Sequence, residues 1–180
     1  MLVASQASSR NATSLTADQI AVYRAFLVSY SDGSEGTLNL ASSIRPLELS
    51  RGEHASGCLK GIASRGITSK HTASHTLSAD VVSGIKIHLV DPQKQFDVIK
   101  LNDPGDKIRR GAPVEDAVKS AFDSGMLEIS EIAFDKRHWY AVLNYSFPCG
   151  RLCGHGGTVV FERVNGVWKR TERSCGGWVS

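Results

Sequence analysis

Two stretches of the chain carry apolar residues three and four positions apart, which is the spacing of one helix face. The first follows Thr16, and Gln19 three residues later completes a capping-box pattern. The pattern therefore predicts a first helix that runs to about Tyr30. Its apolar face consists of Ile20, Tyr23, Phe26, Leu27 and Tyr30.

The second helical pattern lies in "APVEDAVKSAFDSG", residues 112–125. Pro113 stands near the first helical position, acidic residues fill the first turn, and Gly125 lies just beyond the end. These boundary signals predict a second helix. Its apolar face consists of Val114, Ala117, Val118, Ala121 and Phe122.

Short apolar runs predict strands in the rest of the second half. "GIKIHLV" (84–90) and "QFDVIKL" (95–101), separated by "DPQK", predict a strand, a turn and a strand, and "NDPGD" predicts a further turn. Four later runs with short links predict an antiparallel meander, on whose first strand Glu128, Glu131 and Asp135 are expected to form a solvated face. The four runs are "LEISEIAF", "HWYAVLNYSF", "TVVFERV" and "VWKRTERS".

The dipeptide "NG" at 165–166 predicts a two-residue hairpin turn, because both central positions of such a turn need a positive φ. If Val164 faces Val167, antiparallel counting brings Cys175 opposite about Gly156. This register predicts that Cys175 lies at the sheet end that carries the other C-terminal cysteines.

Length and composition limit the fold class. With 180 residues and 19.4 kDa, the chain is long enough for one domain, which we place at residues 16–180. The polar composition of residues 1–15 predicts a disordered tail or a signal-peptide remnant. The order of elements predicts an α+β fold in which the antiparallel meander packs against two main helices. A net charge of +3 predicts no nucleic-acid partner, and no apolar run approaches the roughly 18 residues of a membrane span.

The stretch "FPCGRLCGHGG", residues 147–157, contains two cysteines, a histidine and four glycines. The four cysteines of the chain allow three pairings, of which we favour Cys149 with Cys153 and Cys58 with Cys175. Disulfides favour an oxidising, extracytoplasmic compartment. The motif also offers two thiolates and the His155 imidazole, a set that suits zinc or Cu(I). We nevertheless expect no metal or other cofactor, because structural zinc sites usually have a second close pair of ligands.

The C-terminal third resembles a group of uncharacterised bacterial, extracytoplasmic proteins with the order strand, CGxLCGxG, apolar strand and Gly-x-Trp-Lys hairpin. That resemblance implies export and brings no activity with it. The chain is also similar, more distantly, to NTF2-like α+β domains, which implies helices packed across a curved sheet. The residues that match the first group are Cys149, Gly150, Leu152, Cys153, Gly154, Gly156, Gly166, Trp168 and Lys169.

The leading functional hypothesis is a non-enzymatic, periplasmic or secreted binding or interaction module for an unknown small molecule or protein. It follows from the lack of a recognisable catalytic signature, the rigid cysteine loop, and the long Ser-, Gly- and His-rich segment at residues 36–80. The ligand-binding candidates are Arg151, His155, Gly156 and Trp178.

The alternative hypothesis is an enzyme. A small hydrolase or isomerase with an NTF2-like pocket would use His155 or His138 as acid or base. A thiol or metal protein would instead use Cys149, Cys153 and His155.

Overall fold

The structure is a computed structural model, and it describes part of the chain. The expected N-terminal tail lies almost entirely outside the described residues, and so does much of the segment at 36–80. The described residues are 14–34, 36–49, 58, 59, 61, 62, 70, 71, 75–173 and 175–180.

Helices and strands are interspersed along the chain, and the expected α+β fold class is confirmed. None of the helices in the described part of the chain combines the length and apolarity needed to cross a membrane. The helices are α1 (Ala17–Ser31), α2 (Ala79–Val82), α3 (Pro92–Leu101), α4 (Pro104–Arg109) and α5 (Val114–Ser124). The strands are β1 (Leu38–Ala41), β2 (Leu47–Glu48), β3 (Lys70–His71), β4 (Ile87–Val90), β5 (Met126–Ile129), β6 (Ala133–Phe134), β7 (Tyr140–Gly150), β8 (Cys153–Val164), β9 (Val167–Arg170) and β10 (Gly177–Val179).

Eight of the described strands form one sheet in the order β10-β8-β7-β5-β1-β4, with β6 also paired to β7 and β9 to β8. The antiparallel C-terminal meander of β7, β8 and β9 is confirmed. The sheet as a whole is mixed, because β1 runs parallel to both β4 and β5. β2 and β3 form a separate antiparallel pair.

The two predicted helices, α1 and α5, are confirmed. The Thr16 hydroxyl accepts from the Gln19 backbone N–H, and the Gln19 side chain accepts from the Thr16 backbone N–H, as the capping box requires. In α5 the small residues Ala117 and Ala121 are fully buried. The larger apolar residues of the predicted face, Val114, Val118 and Phe122, are exposed.

The predicted strand at 95–101 is wrong, because this segment belongs to α3. The Asp91 carboxylate accepts from the Lys94 backbone N–H at 3.0 Å, and Pro92 occupies the first turn of the helix. The predicted turn at "NDPGD" is likewise wrong. Asp103 caps α4 by accepting from the Asp106 backbone N–H at 3.0 Å, with Pro104 in the first turn.

The sheet has two faces, which we call the α1 face and the cleft face. On the α1 face, Leu143, Phe147 and Phe161 pack with α1 in the largest apolar cluster. The cleft face carries the alternate residues of the same strands, and two smaller clusters cover parts of it. One contains Ile99 of α3 with Ala41 and Met126. The other contains Leu47, Leu49, Cys58, Leu59, Ile62, Ala133, Val142, Val160 and Cys175.

The hairpin turn at 165–166 is confirmed, with φ of 52° and 80° and with Val164 opposite Val167. The register expected beyond β9 is wrong by three residues. The pairing of β9 with β8 ends at Arg170, and the chain pairs with β8 again only as β10. Trp178, rather than Cys175, therefore lies opposite Gly156. The C-terminal segment therefore places an indole, and not a cysteine, beside the glycines of β8.

Candidate functional site

The cysteine motif forms the closed end of the β7–β8 hairpin. β7 continues to Gly150, which pairs with Cys153 at the start of β8, and the register shifts between Pro148 and Gly150. A disulfide joins Cys149 to Cys153, with the Cα atoms 5.0 Å apart. Since both sulfurs are oxidised, neither offers a thiolate to a metal or a substrate.

The second disulfide joins Cys58 to Cys175, with the Cα atoms 4.6 Å apart. These are the two pairings that the sequence favoured. Cys175 nevertheless does not lie beside the other pair, because it packs on the cleft face whereas Cys149 packs on the α1 face. This bond attaches the segment after β2 to the segment before β10, and Arg173 also donates to the Cys58 carbonyl at 3.2 Å.

His155 lies on the α1 face among aromatic rings. Its Nε2 atom lies 2.9 Å from the Tyr30 hydroxyl, and its ring lies 5.4 Å from that of Phe147. Burial lowers the pKa of His155, and burial together with the nearby Tyr145 raises the pKa of Tyr30. The described hydrogen bonds of His155 include no carboxylate that would orient it as a catalytic base.

His138 lies far from His155, in the turn before β7. It precedes Tyr140, and the seven residues of β7 from Tyr140 to Phe147, the cross-strand neighbour of His155, correspond to about 23 Å. Its Nδ1 atom lies 3.0 Å from Asp18, and this hydrogen bond holds the pKa of Asp18 below its usual value. The two candidate histidines therefore cannot act in one site.

Arg151, a ligand-binding candidate, is engaged with the start of α4. Its backbone N–H donates to the buried Asp103 carboxylate at 2.8 Å, and its guanidinium donates to Asp106 at 2.6 Å. The Arg151 and Asp106 backbone N–H groups hold the pKa of Asp103 below its usual range in spite of burial. These contacts fix the hairpin tip rather than present Arg151 to a ligand.

A cleft of about 820 Å³ opens on the cleft face between α3 and the segments around β2 and β10. Its floor consists of residues from β5, β7 and β8. Of the ligand-binding and catalytic candidates from the sequence, only Trp178 is among the residues that line it, and Cys175 of the disulfide lines it as well. The lining residues that the argument uses are Arg45, Glu48, Phe96, Glu128, Asn144, Ser146, Thr158 and Trp178.

Four residues on neighbouring strands form one row along the cleft face of the sheet. Glu128 of β5 lies opposite Ser146 of β7, Ser146 lies opposite Gly156 of β8, and Gly156 lies opposite Trp178 of β10. Three strand spacings correspond to about 14 Å. We call these four residues the polar row after Glu128 and Ser146 at one end. Gly156 has no side chain, and Trp178 at the other end supplies an aromatic ring.

Hydrogen bonds fix the orientation of the groups at the Glu128 end of the polar row. Nη1 of Arg45 donates to Glu128 Oε2 at 3.1 Å and to Ser146 Oγ at 3.0 Å, and Ser146 Oγ donates to the same carboxylate oxygen at 2.9 Å. The Glu128 side chain is only 13% exposed, whereas that of Arg45 is 56% exposed. The carboxylate is thus held in place while the guanidinium reaches solvent.

A second cross-strand pair lies beside the polar row. Asn144 Nδ2 donates to Thr158 Oγ1 at 2.6 Å, and Asn144 Oδ1 accepts from the Glu48 backbone N–H at 3.2 Å. Asn144 therefore links the floor to β2, which borders the cleft.

Trp178 lies against the glycines of β8. A Cβ atom at Gly156 would lie 2.6 Å from Trp178 Nε1 and 2.6 Å from the Tyr145 carbonyl oxygen, and one at Gly154 would lie 3.3 Å from the indole ring. The absence of side chains on these glycines is what allows the indole to approach the strand. Trp178 as a residue remains 47% exposed and borders the cleft.

Two acidic residues that follow β5 are buried, contrary to the expected solvated face. Glu131 is 2% exposed, and its carboxylate accepts from His75 Nδ1 at 2.8 Å and from the His75 backbone N–H at 3.0 Å. Its own N–H donates to the Arg45 carbonyl at 2.7 Å. Asp135 is also buried and accepts from two backbone N–H groups. No sequence pattern distinguished these carboxylates from surface ones.

No family model, curated protein or solved structure matches the chain. The resemblances to the CGxLCGxG group and to NTF2-like domains therefore stay predictions. Within the described ranges, no group of three or more His, Cys, Asp and Glu side chains could hold a metal ion.

Proposed function

We propose that this protein is an extracytoplasmic binding domain whose ligand occupies the cleft. The observation that carries the proposal is the polar row, which sets an oriented carboxylate and hydroxyl at one end of the floor and a half-exposed indole at the other. Ligand sites are typically concave, measure about 300–1,000 Å³ and contain few but oriented polar groups. The cleft fits this description.

The two disulfides support an extracytoplasmic location. Cys58–Cys175 and Cys149–Cys153 use all four cysteines of the chain. Such bonds persist in the periplasm or outside the cell and are rare in a reducing cytosol.

Fewer observations support the enzymatic alternatives. Neither His138 nor His155 lines the cleft, and His155 lies in β8 whereas His138 lies in the turn before β7. A thiol or metal centre at Cys149 and Cys153 would require reduction of the bond between them.

A ligand screen with two tryptophan variants tests this proposal. Thermal unfolding of the wild-type protein is measured against neutral oligosaccharides, amino acids, dicarboxylates, polyamines and nucleotides. We expect compounds of one class to raise Tm, since a ligand that binds only the folded state stabilises it. Trp178→Ala should strongly reduce the shift.

Trp139→Ala is the matched control, because Trp139 is 49% exposed and lies outside the cleft. It should retain the full shift. The proposal is overturned if no class shifts Tm, or if the full shift survives in Trp178→Ala.

A further inference from the structure

The aromatic end of the polar row offers a flat apolar surface. The indole of Trp178 is backed by Gly154 and Gly156, so its position is fixed by the strand beneath it. Trp178 as a whole is nearly half exposed, and it lines the cleft. A ring held in this way stacks on another flat, partly apolar surface, such as the C–H face of a pyranose.

The opposite end of the row offers both hydrogen-bond donors and acceptors. The Arg45 guanidinium has five N–H donors, and both of its described contacts use Nη1. The carboxylate of Glu128 accepts from these groups and has further lone pairs. Hydroxyl groups of a ligand both donate and accept, so this mixture suits a polyhydroxylated molecule better than a pure donor or a pure acceptor.

The charges in the cleft favour a neutral ligand. Arg45 pairs with Glu128 at 3.1 Å, so neither charge stands alone to compensate a ligand carboxylate or ammonium. Glu48, the other acidic residue of the lining, is exposed to solvent. A charged ligand would have to compete with the existing pair for either partner.

The length of the row indicates a chain of rings rather than a single one. Glu128 and Trp178 lie three strand spacings apart, about 14 Å, which exceeds the width of one sugar ring. Resting on the proposed binding function, we propose that the ligand is a neutral oligosaccharide. One ring stacks on Trp178, and the hydroxyl groups of another bind Arg45 and Glu128.

The experiment has two stages. The intact, oxidised protein is applied to an array of neutral and acidic glycans, and the strongest neutral binder is titrated by calorimetry in comparison with its monosaccharide and with spermidine. We expect the oligosaccharide to bind and the monosaccharide to bind at least tenfold more weakly. Trp178→Ala should weaken binding by about tenfold or more, Trp178→Phe by less, and Trp139→Ala not at all.

The outcomes separate the ligand class from the binding function. If no neutral glycan binds, or if binding is unchanged in Trp178→Ala, the oligosaccharide proposal is wrong. If an acidic glycan or spermidine binds in a Trp178-dependent manner and neutral glycans do not, the ligand class is wrong whereas the cleft remains a binding site. Circular dichroism of each variant establishes that a loss of binding is not a loss of folding.

Discussion

At the closed end of the β7–β8 hairpin, one short stretch of chain contributes side chains to both faces of the sheet. The two faces differ in the residues that cover them. On the α1 face, Cys149, Cys153 and His155 pack into a continuous cluster with aromatic rings. On the cleft face, Gly154 and Gly156 carry no side chains, and Trp178 lies over them. Because side chains alternate along a strand, one sequence can stabilise the fold on one side and form a candidate site on the other.

The largest expected difference in stability between the faces comes from their disulfides, Cys149–Cys153 on the α1 face and Cys58–Cys175 on the cleft face. Cys58 and Cys175 are 117 residues apart, whereas Cys149 and Cys153 are 4 apart. On the loop-entropy model, removal of the long-range bond should lower the free energy of unfolding by about 5 kcal/mol and removal of the short one by about 2 kcal/mol. Denaturant unfolding of the two double Cys→Ala variants measures this. Equal losses would contradict the model.

Truncation of one aromatic residue on each face should have unequal effects on stability. Phe26 is fully buried against the α1 face, so Phe26→Ala should cost about 3–5 kcal/mol in free energy of unfolding. Trp178 is half-exposed, so Trp178→Ala should cost less than Phe26→Ala. The same denaturant experiment compares them. A larger loss for Trp178→Ala would mean that the indole is a structural residue.

A methyl group added to the cleft face should be poorly tolerated at Gly156. The new Cβ would lie 2.6 Å from the Tyr145 carbonyl oxygen, so Gly156→Ala should destabilise the protein by about 1–3 kcal/mol and displace Trp178. Gly36→Ala is the control, because a Cβ there meets no atom within 4 Å. Thermal unfolding and tryptophan fluorescence record both effects. A Gly156→Ala protein with unchanged Tm would contradict the close packing.

The smallest expected effect is a pH dependence that belongs to the α1 face. The pKa of His155 is lowered by burial, so the unfolded chain binds a proton more readily than the folded protein. The stabilisation is complete above about pH 6.5, the ordinary histidine pKa, and is lost as pH falls through the lowered folded value.

Unfolding curves between pH 7.5 and 5 for wild type and His155→Asn measure this contribution as the difference in slope. Gly36→Ala, in which the new Cβ meets no atom within 4 Å, should keep the wild-type slope. The assignment to His155 fails if His155→Asn keeps that slope as well.

Local signals predicted much of the fold. The capping box at Thr16 and Gln19, the boundaries of α5 and the turn at 165–166 each depend on residues close in sequence, and all three are present. The same kind of signal marks the start of α3, where Asp91 caps the helix and Pro92 occupies its first turn. There the short apolar run "QFDVIKL" fits a strand equally well, and the capping residues decide between the two.

The cleft could not be predicted, because it depends on long-range pairing. β1 must pair with β5 in parallel. The chain after β9 must also return to β8 as β10, three residues out of the continuous register, so that Trp178 lies opposite Gly156. Arg45 reaches Glu128 and Ser146 only in that arrangement. Sequence alternation indicates which residues share a face, but it does not indicate which face stays uncovered.

The period of two along β8 also determines which changes of chain length this protein can tolerate. Loss of a single residue from "CGHGG", residues 153–157, would exchange the faces on one side of the deletion, bringing His155 towards the indole or a glycine towards Tyr30. Both the aromatic packing and the cleft floor would then be lost together. Related sequences should therefore vary in length after β9, and keep the spacing from Cys153 to Gly157 constant.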